Sequence, residues 1–321
     1  MDTETGLTRE FYDRILSSAP ENCRYAIFNK VKVAVPGKKR QATTDKMLAP
    51  SIQTLEPGQH SPRDLITRCK AASQRRGSQL SPLQVDAMKI FSDTLPHHEK
   101  VKDASETDIF IKSHLIHLKA LMFNYFLVFD QLFFFGSLLG HCELVLSPDF
   151  RNWTLGECCP DLFSGKAIIT IYNIRETTFE DRVQSYLCTL LHEMIHAYIQ
   201  VYVQIDHISH SRGLVSHLGV GYTQHGVAWH NIAHALEQAV NDPKLLGLQL
   251  DLGRQVSLDA EIYYTEEHSG FMGVDRPGQP MDPEIWGLKR KDEGQKKRFA
   301  EHEAQIQKEL QKKVQNTPGV R

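Results

Sequence analysis

Apolar residues recur along the chain in two rhythms. From Val183 to Tyr202 the apolar positions Val183, Leu187, Leu190, Leu191, Met194, Ile195, Tyr198 and Tyr202 stand three or four residues apart, the step of one face of an α-helix. The segments CELVLSP from Cys142 and KAIITIYN from Lys166 are instead short and rich in β-branched residues, which predicts strands. A turn-rich stretch, RNWTLGECCPDLFSG, is expected to part them.

Ahead of this sheet, an apolar helix is expected over 109–134, and another begins near 82, where Ser81 and Pro82 precede LQVDAMKIF. The polar gap PHHEKVKDASETD separates the two. Beyond the Val183–Tyr202 helix, a loop from Asp206 to Tyr222 leads into HGVAWHNIAHALEQAV, a further helix that Asn241-Asp242-Pro243 stops.

The remainder is poor in large apolar groups. A short helix is expected at Leu7–Leu16, a loosely ordered linker over 35–80, and a charged helical tail beyond Pro277. The chain therefore divides into a short N-terminal helical segment (1–34), a basic, loosely ordered arm with one helix (35–108), a central domain (109–245) and a C-terminal extension ending in a charged helix (246–321). The order helix, small sheet, helix, helix makes the fold α+β.

Composition narrows this picture in three ways. Asn124, Asp130 and Gln131 interrupt the run from Ala120 to Leu139, short of the roughly 18 apolar residues of a membrane span. Cysteines 23, 69, 142, 158, 159 and 188 form no CxxC pair, which argues against a disulfide scaffold or a cysteine zinc ribbon. The acidic, polar start MDTETGLTREFYDR is unlike a secretory signal, so the expected location is intracellular.

Net charge is −2, but its distribution is uneven. Between 31 and 80, Lys32, Lys38, Lys39, Arg40, Lys46, Arg63, Arg68, Lys70, Arg75 and Arg76 face only Asp45, Glu56 and Asp64. That arm and the basic tail from Lys289 to Lys313 could neutralise the phosphates of DNA, although such runs are more often solvated faces. The clusters Lys289–Lys291 and Lys296–Arg298 also have the composition of a nuclear address.

The most specific chemistry lies in LLHEMIHAY, from Leu190. On a helix His192 and His196 share one face and can present two imidazoles to one Zn²⁺. Glu193 projects about 100° round the same turn, where a carboxylate can act as general base on water without ligating the metal. An apolar helix leaves His and Glu unsatisfied at about 1–3 kcal/mol each unless something compensates them. A third ligand is needed, and His207, His210, His217, His225, His230, His234 and Glu237 all follow within reach. Ile199 and Tyr202 stand where the extended HExxHxxGxxH pattern has Gly and His, which disfavours that protease family.

From Ile111 to Val240 the chain resembles the SprT-like, or Spartan-type, zinc metalloproteases. The resemblance is carried, in order, by FDQLFFFGSLL, the CELVLS strand, TLGECC, KAIITIYN, TLLHEMIHAY and HGVAWHNIAHAL. It implies a minimal zincin-like core with irregular terminal extensions, with His192, His196 and His225 as zinc ligands and Glu193 as catalytic base. It also implies protein substrates, DNA-crosslinked ones among them, and a nuclear role in their repair. KAIITIYN becomes the expected sheet edge on which an extended peptide would lie. The stretch between His196 and His225 is longer than is usual in the family, and no zinc ribbon or ubiquitin-binding finger follows in this sequence. The alternative is a non-catalytic, zinc-stabilised scaffold acting through arm and tail.

Overall fold

The structure is a computed structural model that describes residues 55–102, 112–151, 154–160, 166–174, 179–204, 223–268 and 282–289, with isolated positions between 294 and 308. The helix expected at Leu7–Leu16, the basic residues Lys32–Lys46, the loop Asp206–Tyr222 and most of the charged tail lie outside the described residues.

The chain enters through α1 (Pro62–Ser73), inside the stretch expected to be a loose linker. Ser61 accepts a hydrogen bond from the Asp64 N–H and Pro62 occupies the first turn, a strong start signal. Leu65 and Cys69 are fully buried, and α1 packs against the helix that follows the site. The expectation of an arm over 55–80 is thus corrected. Two apolar anchors one turn apart suffice to dock a short capped helix, even where mean hydropathy is low.

The cations counted there as a basic surface also serve that docking. Lys70 donates to Asn231 at 2.7 Å and Arg76 pairs with Asp242 at 2.7 Å.

Helix α2 (Pro82–Lys102) starts where Ser81-Pro82 predicts, with Ser81 and Gln84 capping each other reciprocally at 3.1 and 3.3 Å. It runs on through residues expected to form a polar gap. Buried Gln84 also donates to the carbonyls of Ala72 and Leu132, tying α1 and α2 to the end of α3 (Lys112–Phe133). Asp130 of α3 is fully buried because its carboxylate accepts the N–H groups of Leu138 and Leu139, each at 3.0 Å. That bond shapes the turn into the sheet, and no helix among the described residues is long and apolar enough to cross a membrane.

Strands β1 (Cys142–Leu146), β2 (Gly156–Pro160) and β3 (Ala167–Ile171) form one sheet in the order β1-β3-β2. β1 pairs parallel to β3 and β2 antiparallel to it. Two expectations are corrected here. GECCP, expected as turn, is a strand, because backbone pairing to β3 needs no β-branched side chains of its own. KAIITIYN is the central strand rather than the edge, and its buried Ala167, Ile169 and Ile171 alternate with half-buried partners. β2 takes the edge position instead.

Helix α4 (Phe179–Tyr202) lies on β2 and β3, and every apolar position named for it above is buried. After it come α5 (Val227–Asn241) and α6 (Arg254–His268). Leu250 and Leu252, in the link between these two helices, belong to the same core, and Trp286 is buried nearby. The mixed α+β class is therefore as expected, but the core recruits residues on both sides of 109–245.

Leu65→Ala tests the role of α1. It is expected to lower folding stability by about 2–5 kcal/mol, read as a shifted urea midpoint. A loosely ordered arm would give no shift.

Candidate metal centre

Helix α4 carries His192 and His196 one turn apart, and the chain brings His225 to them just before α5. Gln224 has φ 66°, a left-handed conformation that costs a non-glycine residue energy. The sharp turn it makes delivers His225 at the helix entrance, beside Gly226 as N-cap. The three Nε2 atoms stand 3.0, 3.1 and 3.1 Å apart. Among the described residues this is the group whose ligand atoms converge as a metal site requires.

Proton positions follow from the partners of the other ring nitrogens. His192 Nδ1 lies 2.9 Å from the Leu252 carbonyl, which only accepts, so Nδ1 carries the proton and Nε2 the lone pair. Thr223 donates its hydroxyl to Glu261 at 2.7 Å and therefore accepts from His225 Nδ1 at 2.9 Å. That places a second lone pair on His225 Nε2.

Burial also holds all three rings neutral. It takes His192 down to about 4, against a weaker opposing effect of the Leu252 carbonyl. It takes His196 and His225 well below the usual histidine range, with neighbouring imidazoles adding to it. Lone pairs crowded in this way repel one another unless a cation accepts them. Nitrogens on a tetrahedral ion with bonds of about 2.0–2.1 Å stand about 3.3 Å apart, so the donor set fits one metal ion.

Trp229, four residues after His225, floors the site. Its ring centroid lies 4.7 Å from that of His192, 5.7 Å from His196 and 4.8 Å from His225. Glu193, 6% exposed, turns toward the edge strand. A Cβ added at Gly156 would come within 2.5 Å of Thr189 Cγ2 and 3.0 Å of Glu193 Cγ, so only glycine lets β2 approach α4 this closely.

Burial, and then the nearby Glu157 carboxylate, push Glu193 up to about 8. Glu157 is itself held by the Tyr172 hydroxyl and by Arg151 at 3.4 Å. Arg151 also lies 4.0 Å over the Tyr172 ring.

The remaining candidates are placed elsewhere. Glu237 is committed to Arg254 at 2.6 Å and to the Leu252 N–H at 3.0 Å. His230 is fully buried, stacked on Trp286 at 4.8 Å, and neither ring nitrogen has a hydrogen-bond partner among the described residues. His234 stands apart from the cluster. His207, His210 and His217 lie outside the described residues. Tyr198 packs into the core against Phe134 at 5.1 Å and Tyr202 at 5.4 Å. Among the described residues no cysteine joins this cluster: Cys69, Cys142, Cys158, Cys159 and Cys188 are free thiols, and burial raises each of them.

Sequence reasoning missed Trp229, Gly156, Thr223, Leu252 and Glu261. Of these only Trp229 carried a signal, one helical turn after His225. Comparison of the chain with protein-family models, with curated proteins and with solved structures finds no match.

Two outcomes are expected. Gly156→Val should destabilise the protein by about 1–3 kcal/mol through overpacking, measured as a lower urea midpoint; an unchanged midpoint would mean that β2 is free to move off α4. His230, pulled down to about 3 by burial and then by Arg254 and His192, takes a proton in the unfolded chain near pH ~6.5. Folded stability should therefore fall as pH drops from about 6.5 towards 3, because the unfolded state binds the proton first. His230→Phe should make the thermal midpoint fall less steeply across that window, the buried rings of His192, His196 and His225 supplying the remainder; an unchanged slope would mean that His230 does not take part.

Proposed function

We propose that this chain is a zinc-dependent metallopeptidase of SprT-like type, with a minimal zincin-like core, that hydrolyses peptide bonds of protein substrates, DNA-bound or DNA-crosslinked proteins among them. One observation carries the proposal: three neutral imidazoles converge on one point, beside a buried carboxylate that directly follows the first of them. His192, His196 and His225 would hold the metal. Zinc, when bound, polarises a peptide carbonyl and lowers the pKa of water to about 7.

The chain's own residues supply the rest. Glu193 takes the proton from the attacking water and returns it to the leaving amine. Burial favours this role, since a base works best with a proton affinity near the operating pH, and Glu193 is lifted to about 8. β2 has no strand on its outer side among the described residues, so its backbone can pair with an extended peptide and lay a carbonyl across the site. Gly156, with no side chain, keeps that edge close to Glu193. The Trp229 floor and the apolar core beneath it exclude water from the far side of the rings.

The link to DNA rests on the basic arm and tail, and a nuclear location on the clusters Lys289–Lys291 and Lys296–Arg298. Lys70 and Arg76 are already engaged with α5 and Asp242, so the remaining cations would carry phosphate contact.

Glu193→Gln is expected to retain zinc, by metal analysis, and to lower cleavage of a protein substrate by at least about a hundredfold. His196→Ala should lose the metal. The assay is run with and without single-stranded DNA. Wild-type activity in Glu193→Gln would refute the mechanism, and metal without any proteolysis in the wild type would leave a zinc-stabilised scaffold as the function.

A further inference from the structure

Two of the three converging imidazoles are oriented by residues that lie beyond 245. The His192 ring is held by the Leu252 carbonyl. That carbonyl belongs to a link stitched to α5 by Glu237, which accepts the Leu252 N–H at 3.0 Å, and by Asn241, which bonds both the N–H and the carbonyl of Leu250. The His225 ring is held by Thr223, and Thr223 is held by Glu261 of α6.

The second of these chains is the more informative, because it is built from side chains. Glu261 is 2% exposed, and one of its oxygens, Oε2, receives both the Thr223 N–H and the Thr223 hydroxyl, each at 2.7 Å. A carboxylate only accepts, so the single hydroxyl proton of Thr223 is spent on Glu261. The free lone pairs of that hydroxyl face His225 Nδ1 at 2.9 Å. Reversing Thr223 would take one of two donors from that buried oxygen and turn the His225 proton inward, toward the neighbouring imidazoles.

We infer that Glu261, acting through the Thr223 hydroxyl, is a positioning residue of the metal centre, fixing His225 with its proton on Nδ1 and its Nε2 lone pair on the metal position. The inference rests on the metal-centre reading above and extends it to α6. Outer partners of this kind set both ring orientation and ligand basicity, and their removal typically weakens metal binding by about 10- to 100-fold.

The test uses the full chain, stripped of metal, with Zn²⁺ alone as the probe and a competing chelator to read affinity. Thr223→Val keeps the backbone N–H to Glu261 and removes only the hydroxyl. It is expected to weaken Zn²⁺ binding by about 10- to 100-fold, while Thr223→Ser retains wild-type affinity. Glu261→Gln, which can still accept from Thr223 but carries no charge, should fall between them. Combining it with Thr223→Val should add little, since both cut one chain.

Thermal midpoints of the metal-free proteins are measured alongside. A merely structural role for Glu261 would lower its midpoint and leave Zn²⁺ affinity untouched, which overturns the inference. Wild-type affinity in Thr223→Val overturns it as well, with the metal centre still standing. A wild-type chain that takes no Zn²⁺ overturns both readings, and zinc bound at the expected affinities without proteolysis overturns the peptidase alone.

Discussion

Three buried, neutral imidazoles whose Nε2 atoms converge on one point are an arrangement that a folded chain does not reach by default. The Nε2 atoms stand 3.0–3.1 Å from one another, and those of His192 and His225 each carry an inward lone pair. Such crowding is unfavourable without a cation, so the surrounding structure must hold it in place. Much of the architecture around α4 reads as that restraint. Trp229 closes the floor, Gln224 accepts a strained backbone to aim His225, and hydrogen bonds to the Leu252 carbonyl and the Thr223 hydroxyl keep protons off the inward-facing nitrogens of His192 and His225.

The rest of the core is arranged to keep α4 still. Leu190, Leu191, Met194 and Ile195 are fully buried around the ligand positions, and the helix is clamped between the sheet and the helices before and after it. Asp130 and Gln84, both polar and both buried, join helix ends and turns rather than lining the cleft. They show why a polar residue inside an apolar run need not be functional: each satisfies backbone groups that would otherwise be orphaned.

How much of this was legible beforehand depends on where each interaction lives. The 3.6-residue period of α4 and the letters of LLHEMIHAY are local, so the helix and two of the converging histidines could be read directly. The third needed the resemblance, because the spacing alone left seven residues open. Strand β2 was hidden because Gly156, Glu157 and Pro160 are poor strand formers, and only pairing with β3 makes them one. Helix α1 could have been read from Ser61-Pro62, the same signal that marked Ser81-Pro82, but four buried residues, two of them small, in a polar stretch made little impression beside ten cations. The partners of His192 and His225 left no mark at all. A backbone carbonyl has no sequence signature, and Leu252 is separated from His192 by 60 positions.

That separation has a thermodynamic side. Since Leu252 holds one ligand ring directly and Glu261 holds another through Thr223, any ion that favours the present ring orientation must also favour the seating of the chain from Leu245 to α6, by an amount set by its concentration relative to its dissociation constant. Occupancy and C-terminal docking are then two readings of one equilibrium. The segment beyond α5, which bears no ligand itself, would report by its resistance to proteolytic nicking whether the centre is loaded.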